Sequence, residues 1–182
     1  MRVDEEQLKA VTVGDLPPQY QDVVLEDYNV IWPHWYESAA WRIRQALDDT
    51  ALETHHVGST AVRGLAAKPL IDINLVVADT NDEDAYVPRL EAIGYELRVR
   101  EPEWYEHRLL RGFEPPVNLH VFPPDCEEVA RMLRFRDHLR TNDADRQLYE
   151  QTKRELAAKD WKYVQNYADA KTAVVQEILS RT

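Results

Sequence analysis

The sequence predicts an α+β fold in which a small mixed sheet is flanked by helices and followed by a C-terminal helical segment. Residues 52–57, 70–78 and 117–122 are short stretches bounded by Gly, Pro or Asp, and the last two are rich in Val, Ile and Leu, as is typical of strands. After Pro123 and Pro124, apolar residues recur at helical spacing instead. The 182 residues suit one domain that buries a sizeable core.

The amino-acid composition excludes several kinds of partner and location. The chain has 22 Lys and Arg against 33 Asp and Glu, a net charge of −11 that repels a phosphate backbone, so we expect no nucleic-acid polymer as partner. Because no apolar run approaches about 18 residues and no secretory signal is evident, we expect no membrane association. The single Cys126 cannot form an internal disulfide and lies between two acids, so we interpret it as structural. A cytoplasmic location is expected.

The first part of the chain divides at two prolines. Residues 1–18 are polar, end at Pro17-Pro18 and are predicted to be an N-terminal extension of a single domain, 19–182. Residues 23–28 are predicted to be a short strand or an extended segment. A helix is predicted from Pro33 to about residue 48. The aromatic residues at 32–35 could stack on a base, but packing is the commoner role at a helix start.

The remaining elements follow the same periodicities. The strand at 52–57 runs into a Gly-Ser-Thr turn at 58–60, and residues 61–67 are predicted to be a short helix or loop. Gly94 stands where a helix commonly ends, which predicts a helix at 82–93. Further strands are predicted at 95–99, 107–110 and 117–122, and further helices at 127–139, 143–159 and 161–179.

Polar residues within two predicted strands mark a candidate site. Side chains alternate along a strand, so Asp72 and Asn74 point to one side, as do Asn118 and His120. A carboxylate inside a buried strand carries a desolvation cost unless something pairs with it, which favours a metal or substrate role for Asp72. A hydrogen-bonded structural acid and a core histidine with satisfied nitrogens are the alternative interpretations.

Several separated motifs together resemble the GrpB family (UPF0157), whose members are predicted to belong to the nucleotidyltransferase superfamily. The resemblance runs from about residue 23 to residue 179. Its motifs are Trp-Pro at 32–33, His-Val-Gly-Ser-Thr at 56–60, Gly-Leu-Ala-Ala-Lys-Pro-x-Ile-Asp-Ile at 64–73, Leu-His-Val at 119–121, Phe-Arg-Asp-x-Leu-Arg at 135–140, and Tyr-x-x-x-Lys at 149–153 and 167–171.

The resemblance implies a nucleotidyltransferase-like fold and a metal-dependent site. Asp72, Asn74 and His120 would be the catalytic and metal-binding residues, with Mg²⁺ or Mn²⁺ as the divalent metal. The sequence departs from the superfamily pattern, because typical members supply two or three carboxylates. The family often has a His-x-His pair on the later strand, and here its first member is Asn118.

The resemblance also implies that the turn and nearby cations bind the phosphates of ATP or another NTP. Transfer to a small-molecule acceptor is the implied reaction, and phosphoryl chemistry depends mostly on positioning and charge neutralisation. A solvated helix face is the commoner fate of such cations. The predicted phosphate-binding residues are Gly58, Ser59, Thr60, Lys68, Arg136, Lys153 and Lys171.

Two other function classes stay open. The missing carboxylates favour a nucleotide-binding or regulatory domain without turnover, and ATP-dependent ligase chemistry is possible on the same fold. A metal-dependent hydrolase using His55, His56 and His120 is disfavoured, because adjacent strand residues point to opposite faces.

Overall fold

The computed structural model describes residues 5–20 and 22–182, which form a five-stranded sheet with helices on both sides. The strand order is β1-β2-β5-β4-β3; β2 and β5 are parallel, and the other neighbours are antiparallel. This mixed sheet confirms the predicted α+β class. The strands are β1 Glu53–Val57, β2 Ile71–Val76, β3 Glu96–Glu101, β4 His107–Phe113 and β5 Pro116–Phe122.

Seven α-helices occur in the described part of the chain, and four of them form the C-terminal segment. Short 3₁₀ turns stand at Asp48–Thr50, Ser59–Ala61 and Glu83–Ala85. The helices are α1 Glu5–Val11, α2 Trp32–Leu47, α3 Val87–Glu91, α4 Glu127–Thr141, α5 Asp143–Ala157, α6 Val164–Ala170 and α7 Thr172–Leu179. Within these described ranges no helix is both long and apolar enough to cross a membrane.

The apolar face of the sheet forms the main core. Alternate residues of β2, Ile71, Ile73 and Leu75, are fully buried in one cluster with Ile43 of α2 and Leu90 of α3. Burying a side chain of this size contributes about 1.5–3 kcal/mol, so these contacts fix the strand register. Every second residue of β2 is thereby directed to the opposite face.

The opposite face of the sheet lies towards the C-terminal helices. Val62 and Leu65, which follow the turn after β1, are buried against Leu139, Tyr149 and Ile178 of α4, α5 and α7. This second cluster attaches the helical segment to the turn. The helices therefore lie beside the polar residues that β2 directs away from the main core.

Trp32 packs in the core rather than offering a stacking surface. It is fully buried and meets Tyr28 edge to face at 5.5 Å between ring centroids. Residues 23–28, predicted to be a short strand or an extended segment, have no regular secondary structure apart from one bridge between Glu26 and Ala67. The packing interpretation of the aromatic residues at 32–35 is thus supported.

Two predicted helices differ in the structure, and one helix was not predicted. The helix predicted at 82–93 is a 3₁₀ turn followed by the short α3, because Pro88 in its first turn lacks an amide hydrogen. The single helix predicted at 161–179 is two helices that meet at Lys171, whose N–H donates to the carbonyl of Ala168, three residues back. The N-terminal residues also contain α1, where no element was predicted; Thr12 after it bridges to Val99 of β3.

Candidate functional site

The parallel pairing of β2 and β5 brings the predicted polar residues together. Asp72 lies opposite Asn118, and Asn74 lies opposite His120. The Asn118 amide donates to Asp72 Oδ1 at 3.1 Å, and His120 Nε2 lies 3.8 Å from the same oxygen. The alternation therefore predicts this shared face correctly, and Asp72 and His120 are adjacent on it.

The turn after β1 closes directly against the Asp72 carboxylate. Gly58 has φ 71°, and a Cβ placed there would lie 2.4 Å from Asp72 Oδ2. Only a residue without a side chain allows this approach, since both the backbone angle and the space exclude Cβ. The Asp72 side chain keeps 30% of its surface exposed, so the carboxylate remains accessible beside the turn.

Lys153 of α5 is buried against Ser59 of the same turn. Its ammonium donates to Ser59 Oγ at 2.9 Å and to the Ala66 carbonyl, and it lies 4.9 Å from the ring centroid of Tyr149. Burial lowers the pKa of Lys153 to about 7 and raises that of Tyr149 to about 12.

Lys68 and Lys171 share one aromatic ring. Their ammonium groups lie 5.9 and 4.7 Å from the centroid of Tyr167, within the range of cation–π attraction. Neither has a carboxylate within ion-pair distance among the described residues. Burial lowers the pKa of both lysines; repulsion from Lys171 lowers that of Lys68 further, whereas Asp72 acts in the opposite direction on each.

The groups around Asp72 keep its carboxylate ionised. Burial raises its pKa, but His120, the Asn118 amide and Lys68 together outweigh burial and hold the pKa below the usual value. An ionised carboxylate beside several ammonium groups is thus the main electrostatic feature of this polar face. An incoming anion would meet positive charge that one carboxylate does not balance.

Asn74 is less accessible than its neighbours. It is fully buried, its amide nitrogen donates to Met132 Sδ of α4 at 3.4 Å, and its Oδ1 has no hydrogen-bond partner in the described structure. A buried carbonyl without a partner is uncommon and costs free energy. Asn74 therefore offers an unused oxygen next to Asp72 on β2.

Two predicted phosphate-binding residues have other partners. Thr60 is buried, and its hydroxyl bonds His56 Nε2 at 3.0 Å and the Leu70 carbonyl. Arg136 donates to the His56 carbonyl at 2.9 Å and to the Asp137 carboxylate. Both residues hold the end of β1 and its turn in place. In contrast, Lys153 contacts Ser59 and Tyr149, and Lys68 and Lys171 lie at the ring of Tyr167.

The three histidines considered for a metal-dependent hydrolase, His55, His56 and His120, do not come together at one site. His56 lies on the sheet face away from Asn74 and stacks on Tyr36 with 4.7 Å between ring centroids. His55 pairs with Glu53 at 2.7 Å. Burial lowers the pKa of His56 to about 4, which suits a neutral packing residue.

His107 and Glu101 join the site although the sequence did not indicate them. His107 Nε2 lies 3.0 Å from His120 Nδ1, and its Nδ1 lies 2.7 Å from Glu101 Oε2. The available signal was weak: an isolated histidine at the start of a predicted strand. The tyrosines at 149 and 167 had a clearer signal, since a lysine four residues after each can lie over its ring on one helix face.

The residues present fit one divalent cation better than two. No cluster of three or more His, Cys, Asp or Glu side chains suited to a metal is found at 5–20 or 22–182. Asp72 Oδ1 and His120 Nε2 are 3.8 Å apart, shorter than two metal–ligand bonds of about 2.1 Å laid end to end, so one ion could contact both. Asn74, which lies opposite His120, carries an oxygen, Oδ1, without a hydrogen-bond partner among the described residues.

A crevice of about 340 Å³ opens elsewhere, beyond the C-terminal end of β2. Asp49, Asp79 and Asp82 line it together with Tyr86. None of the residues predicted for the site contributes to its lining, and its charge is opposite to that of the lysine cluster. It is therefore separate from the polar face around Asp72.

Fold and site together define an α+β protein whose polar sheet face is enclosed by a C-terminal helical segment. The family model of the GrpB protein matches residues 22–181. The chain belongs to the GrpB family.

Similar proteins include named members of the same family. A UPF0157 protein of Halalkalibacterium halodurans is 53% identical over 99% of this chain and 92% of its own length. A UPF0157 protein of Streptomyces coelicolor is 43% identical over 90% of this chain and 86% of its own. The crystal structure of the conserved protein GrpB from Enterococcus faecalis matches with a TM-score of 0.71 and 29% identity, covering 87% of this chain and 98% of that one.

Proposed function

We propose that this protein is a nucleotidyltransferase-type enzyme that binds ATP or another NTP and transfers part of it to a small-molecule acceptor. One observation carries the proposal. The single carboxylate of Asp72 is pressed against the Gly58-Ser59 turn and adjoins lysines that have no acidic partner. The resemblance to the nucleotidyltransferase superfamily supports the same assignment.

The charge balance around Asp72 favours an anionic ligand. Lys68 and Lys171 lie at the same tyrosine ring, although burial lowers the pKa of both and repulsion from Lys171 lowers that of Lys68 further. A polyphosphate would relieve this, because it places negative oxygens between the ammonium groups. Ser59 Oγ, which accepts from Lys153, and the backbone of the neighbouring Gly58 could contact the same phosphate chain.

The residues around Asp72 could hold a divalent cation. Asp72 and His120 would hold it, with Asn74 as a neutral oxygen donor, and the substrate's phosphates would complete its ligands. Such an ion supplies charge neutralisation at the phosphates when bound. The chain's own residues orient the nucleotide: the lysines bind the phosphates, and the turn restricts their position next to the carboxylate.

A second candidate is nucleotide binding without turnover. The neighbours of Asp72 on this face are Asn74, Asn118 and His120, where typical nucleotidyltransferases supply further carboxylates. Because Asp72 is the one carboxylate among these residues, the site offers a divalent metal less negative charge than the sites of typical nucleotidyltransferases do. A domain that binds a nucleotide and signals its presence would need only the cationic part of the site.

The test compares nucleotide binding and product release in three proteins. Calorimetry with ATP, GTP, CTP and UTP, each with Mg²⁺ or Mn²⁺, is run on the wild type, on Asp72→Asn and on the control Asp84→Asn, which changes an exposed acid outside the site. We expect Asp72→Asn to weaken metal-dependent binding at least tenfold and Asp84→Asn to leave it unchanged. Equal affinities in all three would remove Asp72 from the site.

Turnover is measured with the same proteins. Pyrophosphate release on addition of candidate hydroxyl acceptors, lost in Asp72→Asn, is the expected result. Tight binding without release would support the second candidate, and ADP as the product would instead indicate acyl-phosphate ligase chemistry. Absence of nucleotide binding would contradict both proposals.

A further inference from the structure

The turn between β3 and β4 carries two exposed aromatic side chains next to the polar face. Trp104 and Tyr105 keep 39% and 41% of their surface exposed. Trp104 meets the rings of His107 and Phe122 edge to face, with 5.1 and 5.9 Å between ring centroids. These two rings lie in turn 5.2 and 6.4 Å from the ring of His120. The aromatic turn therefore stands beside His120, on the side of the sheet that carries Asp72.

The backbone of this turn is held in a conformation that its residues disfavour. Tyr105 and Glu106 both have φ 52°, in the left-handed region that bulky residues rarely adopt. The Arg108 guanidinium donates to the Glu106 carbonyl at 3.0 Å, and the Asn81 amide donates to the Glu106 carboxylate at 3.3 Å. Such conformations persist where the surroundings fix them, and they cluster at ligand-binding sites. The turn is thus pre-organised, which lowers the entropic cost of binding a ligand.

The distance along the sheet suits a nucleotide. Phe122 lies four residues after Asn118 on β5, which is about 13 Å at about 3.3 Å per residue. Asn118 is paired with Asp72, where the proposed function places the phosphates. An extended nucleoside triphosphate has a comparable length from its base to its last phosphate. With its phosphates near Asp72, its base would reach the ring of Trp104.

The exposed side chains favour the same direction. Towards the turn after β1, Lys153 is buried against Ser59, so that side of the polar face is closed. In the other direction, Asp72 and His120 keep 30% and 20% of their side chains exposed, and Trp104 is more exposed than either. The nucleoside part of a ligand would therefore extend from Asp72 past His120 to the aromatic turn.

We propose that the turn between β3 and β4 is a nucleobase site in which the indole of Trp104 stacks on the base. The inference rests on the proposed function, which places the phosphates further along the same face. Every base has a π-face, so stacking accepts all four nucleotides. A purine presents a larger ring system to an indole than a pyrimidine does, so ATP and GTP are the favoured ligands.

Inorganic triphosphate separates the contribution of the base from that of the phosphates. Calorimetry with ATP and with inorganic triphosphate, each with Mg²⁺, is run on the wild type, Trp104→Ala and Trp104→Phe. The control Trp41→Ala removes an exposed indole from α2, which packs on the apolar face of the sheet. We expect Trp104→Ala to weaken ATP binding about tenfold and to leave triphosphate binding within twofold. Trp104→Phe should keep most of the ATP affinity, and Trp41→Ala should change neither ligand.

Each other outcome decides against one proposal or both. Unchanged ATP affinity in Trp104→Ala would overturn the inference. An equal loss for ATP and triphosphate would assign Trp104 a packing role only and would overturn it as well. In either case, binding of both ligands to the wild type would leave the phosphate site of the proposed function standing. Binding of neither ligand to the wild type would refute both proposals.

A second readout observes the stacked ring in the wild-type protein. The indole N–H signal of Trp104 in ¹H–¹⁵N spectra is assigned by its loss in Trp104→Phe. We expect this signal to shift on addition of ATP and not on addition of inorganic triphosphate, because a stacked base adds its ring current to the indole. The Trp41 signal should shift with neither ligand. A Trp104 signal that stays in place while ATP binds would overturn the inference.

Discussion

Replacing Gly58 with alanine tests the contact between the turn and Asp72. The backbone at Gly58 has φ 71° and ψ −172°, a region that is open essentially to glycine, and forcing another residue into it costs about 1–3 kcal/mol. The new Cβ would also lie 2.4 Å from Asp72 Oδ2 and 3.1 Å from its Cγ. Displacing the carboxylate adds about 1–3 kcal/mol, by comparison with other overpacked sites.

Gly64→Ala is the matched control. Gly64 has φ 80°, but no atom lies within 4 Å of a Cβ placed there, so its substitution costs the backbone strain alone. In denaturant unfolding followed by tryptophan fluorescence, Gly58→Ala should lower the free energy of unfolding by about 2 kcal/mol more than Gly64→Ala does. For 182 residues this difference corresponds to a Tm lower by about 4–8 °C.

A double-mutant cycle identifies Asp72 as the cause. Asp72→Ala removes Oδ2 and Cγ and leaves a Cβ contact of 3.2 Å, so Gly58→Ala should cost little more than backbone strain in that background. The coupling free energy expected between the two substitutions is about 1–2 kcal/mol. Equal costs for Gly58→Ala and Gly64→Ala, together with zero coupling, would refute the close approach of turn and carboxylate.

Three other predictions concern charge. The pKa of Lys153 falls from 10.5 to about 7 on folding, so between these pH values the unfolded chain binds one proton more than the folded protein. The free energy of unfolding should therefore rise from pH 7 to 9, by up to about 1.4 kcal/mol per pH unit. Denaturation at several pH values should show this rise in the wild type and not in Lys153→Met. Folding lowers the pKa of His56 from 6.5 to about 4, so the free energy of unfolding should fall by up to about 3 kcal/mol as the pH drops from 6.5 to 4. His56→Gln should reduce this dependence on pH. Equal slopes of stability against pH in the two proteins would contradict the assignment. Lys68→Ala and Lys171→Ala should each weaken ATP binding about tenfold in calorimetry, whereas the exposed Lys159→Ala should not; identical affinities in all three variants would exclude the lysine cluster as the phosphate site.

The sheet and the position of Asp72 on its polar face could be predicted from the sequence, because both depend on the local alternation of apolar and polar residues. The apolar residues of β2 alternate with Asp72 and Asn74, which specifies one buried and one polar face whatever the neighbouring strands are. Pairing with β5 then follows from a second stretch of the same kind. The helix ends were harder to predict. The division at Lys171 depends on a shift to 3₁₀ hydrogen bonding, which the amino-acid composition does not indicate.

The partners of the site residues depend on tertiary packing and could not be predicted in the same way. Arg136 was expected to bind phosphate, but its guanidinium is committed to the His56 carbonyl and to Asp137. His107 belongs to a strand next to β5, and its role follows only from a register that places it beside His120. Sequence periodicity assigns a face to each residue, whereas the strand order decides which residues meet on it.

The most direct test of the central claim is a crystal structure with a non-hydrolysable ATP analogue and Mn²⁺, using anomalous scattering to locate the ion. The account predicts phosphate oxygens within hydrogen-bonding distance of Lys68 and Lys171, and a manganese peak in contact with Asp72 and His120. A nucleotide bound elsewhere, or manganese found only in the acidic crevice at Asp79 and Asp82, would contradict it.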